Sequence, residues 1–109
     1  MTDETRAAYE LEERELVAES DGLRVQVLTV GPGQRVPWHR HSVVTDTFFC
    51  LEGPMVLELR EPDAVLELEA GDRASAPPGR PHTVAGKDGG RCRFAIVQGV
   101  GEYDYVPLD

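Results

Sequence analysis

Glycine and proline divide this chain into short pieces, and the length of those pieces limits what it can fold into. The 109 residues include 11 glycines and 8 prolines, which recur at short intervals. The pieces between them are rich in β-branched, aromatic and leucine residues, and several alternate between apolar and polar positions. They are 23–30, 47–51, 55–60, 64–68 and 92–98. Many short strands separated by regular turns predict an all-β fold, a sandwich or a barrel.

Length and composition predict a single domain. A chain of this size with 40% apolar residues can bury one core but not two. We expect that domain to cover residues 21–109, with residues 1–20 as a peripheral segment. In this peripheral segment, residues 3–19 are acidic and contain alanine, which predicts a short surface helix. The stretch ELVAES near the end of that segment could equally begin an extra first strand.

Charge and cysteine content exclude several classes of function. The net charge is -9, and the only lysine is Lys87, so no basic stripe is available for nucleic acid. No apolar run approaches the length of a membrane span, and the charged N-terminus, MTDETRAAYELEERE, differs from a signal peptide. Cys50 and Cys92 are too few for a disulfide framework and predict free thiols in a reducing compartment. We therefore expect a cytoplasmic protein that binds neither nucleic acid nor membrane.

The histidines fall into two patterns beside turns. His39 and His41 are two positions apart, so on a β-strand they project from the same face. Asp46 follows a short turn, where its carboxylate can close on the same point if TDTFFC begins the returning strand. His82 lies in PPGRPH, in which the prolines hold a turn rigidly. Imidazole and carboxylate together suit one divalent transition-metal ion: iron, manganese, cobalt, nickel or zinc.

These stretches resemble the two motifs of the cupin superfamily, whose members are small jelly-roll β-barrels. The first motif runs over residues 33–53 as Gly, QRVPW, His-Arg-His, SVVT, Asp, TFFCLE and Gly. The second runs over residues 71–86 as Gly, DRASA, Pro-Pro-Gly, RP, His, TVA and Gly. Every element of both motifs has the family's spacing. The resemblance implies a jelly-roll barrel with His39, His41 and His82 as metal ligands.

Two positions depart from the family pattern. The usual glutamate is Asp46, and the terminal asparagine is Gly86. Aspartate keeps the charge but shortens the reach by about 1.5 Å, one carbon–carbon bond. Either the backbone moves inward, a water bridges the gap, or three histidines hold the metal alone. The resemblance implies Asp46 as the fourth ligand, and Gly86 is expected to affect only the turn.

Alternation along the strands predicts the lining of the barrel. If Asp46 faces inward, Phe48 and Cys50 do too, which makes both candidates for substrate contact. Phe94 is a further candidate on the last long strand, although the opposite face of that strand is also plausible. Arg80 could hold a substrate carboxylate, or it could be a solvated loop arginine. Tyr103 and Tyr105 predict either a terminal strand that packs on a neighbour or a surface tail.

The sequence leaves three functions open. The first is a metal-dependent enzyme for a small polar molecule, a dioxygenase, isomerase or lyase, since an octahedral ion with three or four protein ligands keeps open positions. The second is a non-catalytic module that binds or senses a small ligand. The third is a degenerate barrel that holds no metal. Because an open barrel has sheet edges that need cover, we also expect a homodimer.

Overall fold

The structure is a computed structural model that describes residues 9–109. These residues form ten strands and one short 3₁₀ turn, Lys87–Gly89. The strands are β1 Glu13–Ser20, β2 Leu23–Val30, β3 Val36–Arg40, β4 Thr45–Glu52, β5 Met55–Leu59, β6 Ala64–Leu68, β7 Arg73–Ala76, β8 His82–Gly86, β9 Cys92–Gly99 and β10 Val106–Pro107. The predicted all-β class is confirmed.

Two five-stranded antiparallel sheets form the barrel. The first has the strand order β1-β2-β9-β4-β7, and the second has the order β10-β3-β8-β5-β6. Consecutive strands mostly lie in different sheets, as in a jelly roll, so the chain crosses repeatedly between the layers. Each histidine motif consequently contributes residues to the space between the sheets.

The part of the N-terminal segment that the structure describes, residues 9–20, forms the extra strand and contains no helix. β1 pairs with β2 from Glu13 opposite Thr29 to Ser20 opposite Leu23. The two strands are joined at Asp21 and Gly22, and Gly22 has a φ of 77°. Asp-Gly is a typical two-residue hairpin turn. This turn favours a strand paired with β2, although the alanine and glutamate residues of the segment favour a helix. Residues 3–8 of the predicted helix lie outside the described residues.

The core lies between the sheets and is built by alternation along the strands. On β9, Cys92, Phe94 and Ile96 are buried, while the residues between them are partly exposed. On β4, Phe48 is 1% exposed and its neighbour Phe49 is 37% exposed. On β5 and β9 the inward set is the more apolar one, because its burial removes the most apolar surface from water. No helix in residues 9–109 has the length and apolar character needed to cross a membrane.

Candidate metal centre

Both sheets contribute to one buried polar cluster. His39 on β3 lies directly opposite His82 on β8, and His41 follows the end of β3. Asp46 comes from β4 in the other sheet and faces these histidines across the barrel. One potential ligand atom from each of the four residues lies within 4.8 Å of the others. The pairing of strands thus brings together residues that the sequence separates.

A tight turn places His82 at this point. The amide of Arg80 donates a hydrogen bond to the carbonyl of Pro77, at 3.2 Å, which closes the turn. Gly79 occupies the position that needs a left-handed backbone, with a φ of 80°. Its amide also donates to the carbonyl of His41, at 2.7 Å. This bond joins the turn of the second motif to the first motif.

The carboxylate of Asp46 is the centre of the cluster. Its Oδ2 lies 2.8 Å from Nε2 of His41, 2.9 Å from Nε2 of His82 and 3.9 Å from Nε2 of His39. All four residues are buried, and Asp46 is 0% exposed. The shorter aspartate therefore reaches two of the imidazoles, and approaches the third, from its position on β4 between β9 and β7.

The other ring nitrogen of each histidine faces a backbone carbonyl. Nδ1 of His39 lies 2.8 Å from the oxygen of Pro37, and Nδ1 of His82 lies 2.9 Å from the oxygen of Arg80. Nδ1 of His41 contacts the oxygen of Asp104. Because a carbonyl oxygen only accepts, each Nδ1 must carry the proton and donate it. In a neutral ring, Nε2 is then the unprotonated nitrogen.

This arrangement fits a metal ion. Each Nε2 faces Asp46, so in the neutral form of the rings the three Nε2 lone pairs point toward its carboxylate. Protonating every Nε2 instead would bury three positive charges around a single carboxylate, which is unfavourable. A divalent cation satisfies all four atoms together. With bonds of about 2.0–2.2 Å, adjacent ligand atoms at right angles lie about 3 Å apart, close to the two short Asp46 distances.

Electrostatics differ among the site residues. Burial lowers the pKa of His39, and its contact with Asp46 only partly offsets this effect. Burial also opposes protonation of His41, but Asp46 and the Asp104 carbonyl outweigh it and raise the pKa of His41. Burial disfavours the charge of Asp46, yet contacts with the three imidazoles hold its pKa well below the usual value. Asp46 is therefore a carboxylate, the form that binds metal.

Gly86 is required by the loop that follows β8. A Cβ atom at this position would lie 1.9 Å from the carbonyl oxygen of Gly90. The 3₁₀ turn at Lys87–Gly89 brings that carbonyl close, and the amide of Gly90 donates to the carbonyl of Lys87 at 2.9 Å. The asparagine of the family motif would not fit here without a shift of the backbone.

A cavity of about 20 Å³ adjoins the cluster, large enough for roughly one water molecule. His39 and Asp46 form part of its wall. The remaining lining consists of apolar side chains, two glutamines and three tyrosines: Leu28, Val36, Phe48, Phe94, Ile96, Gln26, Gln98, Tyr9, Tyr103 and Tyr105. The cavity is mostly apolar, with the site residues at one side.

The predicted substrate contacts fall into two groups. Phe48 and Phe94 line the cavity, with their ring centroids 5.6 Å apart. Cys50 is buried away from it, and its thiol contacts the carbonyl of Leu68 at 3.6 Å. The guanidinium of Arg80 donates to the backbone carbonyls of Arg60 and Pro62. The structure does not bring Cys50 or Arg80 to the cavity.

Three further residues at the site were not predicted from the sequence. Tyr105 stacks on His39 with ring centroids 4.7 Å apart, and Tyr103 lies 5.1 Å from the ring of His41. Gln98 donates from Nε2 to Oδ1 of Asp46, at 3.1 Å. The alternation of Tyr103 and Tyr105 was the only signal for the first two. A polar residue at the inward position that follows Phe94 and Ile96 on β9 was the signal for Gln98.

Comparison with known families agrees with this architecture. Residues 26–100 match the family described as Cupin domain. The match covers more than half of the chain and includes both histidine motifs. No match was found among curated proteins.

Solved structures share the fold. An uncharacterised conserved protein with a double-stranded β-helix domain from Klebsiella pneumoniae is 27% identical, with a TM-score of 0.76 over 89% of this chain and 84% of that one. A protein of Thermus thermophilus is 26% identical, with a TM-score of 0.71 over 83% and 84%. Oxalate decarboxylase of Bacillus subtilis, a deletion mutant, is 20% identical, with a TM-score of 0.72 over 82% of this chain and 24% of that one. At that identity the last likeness concerns the fold alone.

Proposed function

The chain belongs to the cupin family, and on this premise we propose that it binds one divalent transition-metal ion through His39, His41, Asp46 and His82 and uses it as an enzyme. The observation that carries the proposal is the orientation of the rings, which is fixed at each Nδ1 by a carbonyl and leaves each Nε2 near the carboxylate. Such carbonyl partners hold metal-binding histidines in place. Iron, manganese, cobalt, nickel and zinc suit this set of nitrogen and oxygen donors.

We propose that the reaction is dioxygenation of a small molecule, in preference to isomerase or lyase chemistry. When bound, the metal supplies open coordination positions for substrate and dioxygen. Phe48 and Phe94 provide apolar walls that exclude bulk water and favour an uncharged guest. Burial raises the pKa of Tyr105 to about 12 and also raises the pKa of Tyr9, so both phenols stay protonated and can donate hydrogen bonds. Proton abstraction in an isomerase instead favours a base with a pKa near the working pH.

A non-catalytic binding module is the second candidate. The specific observation in its favour is the size of the cavity, since about 20 Å³ accommodates roughly one water molecule. A larger substrate requires Tyr103 and Tyr105 to move away from the histidines. A protein that only binds a metal or a very small ligand has no such requirement.

Two measurements test these proposals. Elemental analysis of protein purified without chelator or nickel resin should find about one metal ion per chain. Oxygen consumption should then be screened with candidate substrates. We expect His41→Ala to abolish consumption and Arg40→Ala, a neighbouring substitution outside the cluster, to retain it. Stoichiometric metal without turnover in any screen would favour the binding module, and a metal-free chain that cannot be loaded would overturn both proposals.

We also propose that the chain forms a homodimer through β1. This strand lies at the edge of its sheet, and Leu16 is 52% exposed and Val17 54% exposed where its pairing with β2 is irregular. Exposed apolar residues on the edge strand of a sheet favour pairing with another chain. Light scattering should give twice the chain mass of 12.0 kDa, and Val17→Lys should give the monomer. Val65→Lys on β6, where the residue is also exposed, is the matched control. A dimer that is lost in Val65→Lys but kept in Val17→Lys would contradict the proposal.

A further inference from the structure

Three polar side chains form a row across the first sheet. Arg24 on β2 lies directly opposite Gln98 on β9, and Gln98 lies directly opposite Asp46 on β4. All three are buried, at 4%, 5% and 0% exposure. Residues directly opposite each other on neighbouring strands point to the same face of a sheet. The row therefore runs along the inner face of the sheet from Asp46 to Arg24.

Hydrogen bonds connect the row from end to end. Nε of Arg24 donates to Oε1 of Gln98 at 3.0 Å, and Nε2 of Gln26 donates to the same oxygen at 3.3 Å. On its other side, Gln98 donates from Nε2 to Oδ1 of Asp46 at 3.1 Å. The opposite carboxylate oxygen, Oδ2, faces the imidazoles.

The chemistry of the row fixes the direction of the Gln98 amide. A guanidinium only donates, so the group of Gln98 that faces Arg24 must be its carbonyl oxygen. The amide nitrogen then faces Asp46, whose ionised carboxylate only accepts. Turning the amide over would place donors against Arg24 and an oxygen against the Asp46 carboxylate. Both contacts would be repulsive inside a low-dielectric interior.

We propose that Gln98 is a positioning residue for the metal centre, held in its orientation by Arg24. By binding Oδ1, Gln98 holds the carboxylate so that Oδ2 is presented to the metal as a single oxygen ligand. This role deepens the proposed metal site and rests on it. It also explains how an aspartate can act as the ligand where the family has glutamate, because Gln98 holds the shorter side chain through Oδ1.

The expected effect is on metal binding. Loss of a hydrogen-bond partner behind a metal ligand typically lowers metal affinity about 10- to 100-fold. Gln98→Met keeps the approximate length of the side chain and removes the amide, so Asp46 is no longer anchored through Oδ1. The freed carboxylate can rotate, and the geometry around the metal changes with it.

The test titrates wild type and variants with Co²⁺ and records visible absorption, which reports coordination geometry independently of any activity. We expect Gln98→Met to bind Co²⁺ about 10- to 100-fold more weakly, with altered absorption bands. Gln34→Met is the matched control, because the Gln34 side chain accepts a bond from the Gly31 amide, away from the cluster. We expect this variant to retain the wild-type affinity and spectrum.

A second variant covers the case in which Gln98→Met does not fold. Arg24→Met removes the donor that orients the amide, and it should alter the Co²⁺ spectrum while Gln98 is still present. Wild-type affinity and spectrum in Gln98→Met, or in Arg24→Met if the first variant is unfolded, would overturn the inference alone. Weaker affinity with an unchanged spectrum of the bound ion would indicate a structural role only and would also overturn it. A wild-type chain that binds no Co²⁺, Zn²⁺ or Mn²⁺ would overturn the proposed metal site and this inference together.

Discussion

The ring of Tyr105 stacks on the imidazole of His39, with 4.7 Å between the ring centroids and 25° between the ring planes. The neighbouring Asp104 contributes two more contacts, from its carbonyl to Nδ1 of His41 and from its carboxylate to the amide of Ser42. Short pairing of β10 with β3 holds this C-terminal segment in place. The end of the chain thus covers the histidines and helps to orient one of them.

Replacement of Tyr105 should loosen the metal centre. We expect Tyr105→Ala to lower the free energy of unfolding by about 1–3 kcal/mol, because stacking and apolar burial are both lost. We also expect a chelator to remove metal faster, since the ring no longer covers His39. Thermal unfolding and the rate of metal loss to a chelator measure these effects. Tyr105→Phe keeps the ring and should behave nearly as wild type, whereas equal behaviour of Ala and Phe variants would contradict the covering role.

Lengthening Asp46 should weaken the site. Oδ2 already lies 2.8 and 2.9 Å from two imidazole nitrogens, and the residue is fully buried. An added methylene extends the side chain by about 1.5 Å, and overpacking a buried site costs about 1–3 kcal/mol. We therefore expect Asp46→Glu to bind metal at least about 10-fold more weakly, measured by competition with a chromogenic chelator. Tighter binding by the glutamate variant would show that the aspartate is a poor fit.

Removal of the metal should destabilise the fold. A ligand at 100 times its dissociation constant stabilises the native state by about 2.7 kcal/mol. For a domain of this size, each kcal/mol corresponds to a shift in Tm of roughly 4–8 °C. We expect chelation to lower the Tm by about 10 °C or more in differential scanning calorimetry. In His41→Ala, the Tm should be nearly the same with and without metal, which tests whether the effect arises at this site.

The two cysteines should be unreactive in the folded protein. Both are buried, and burial raises the pKa of Cys92 to about 12 and also raises that of Cys50. An unfolded thiol has a pKa of about 8.5, so at pH 8 only the unfolded chain contains appreciable thiolate. We expect no reaction with Ellman's reagent at pH 8 and two reactive thiols after addition of guanidinium chloride. Fast labelling of the native protein would show that one thiol is accessible.

The same pKa shift has a defined effect on stability. Below about pH 8.5 the Cys92 thiol is protonated in both states, and its contribution to stability does not change with pH. Above that value the unfolded chain ionises first, so the free energy of unfolding should decrease as the pH rises toward 12. Denaturant titrations of wild type and Cys92→Ala at increasing pH measure this difference. The alanine variant should lose less stability over the same range.

Local sequence patterns predicted the class of the fold, and the resemblance to the two cupin motifs implied the four residues that the structure brings together. Alternating apolar residues predicted β2, β4, β5, β6 and β9 because burial on one face of a strand repeats every second residue. Spacing placed His39 and His41 on one face, and the proline-rich turn pointed to His82. These features are local, so the chain specifies them within a few neighbouring positions. Their role as metal ligands is still a prediction to be measured.

Other features depend on contacts between distant parts of the chain. Gln98 and Asp46 are 52 positions apart, and His41 and Asp104 are 63 apart, so no local pattern encodes either contact. The same is true of Arg80, whose guanidinium donates to backbone carbonyls 18 and 20 positions away. Which residues meet across a barrel depends on the register and order of its strands. That register is set by the burial of the whole inner face at once, because a shift of one residue would turn every side chain to the other side.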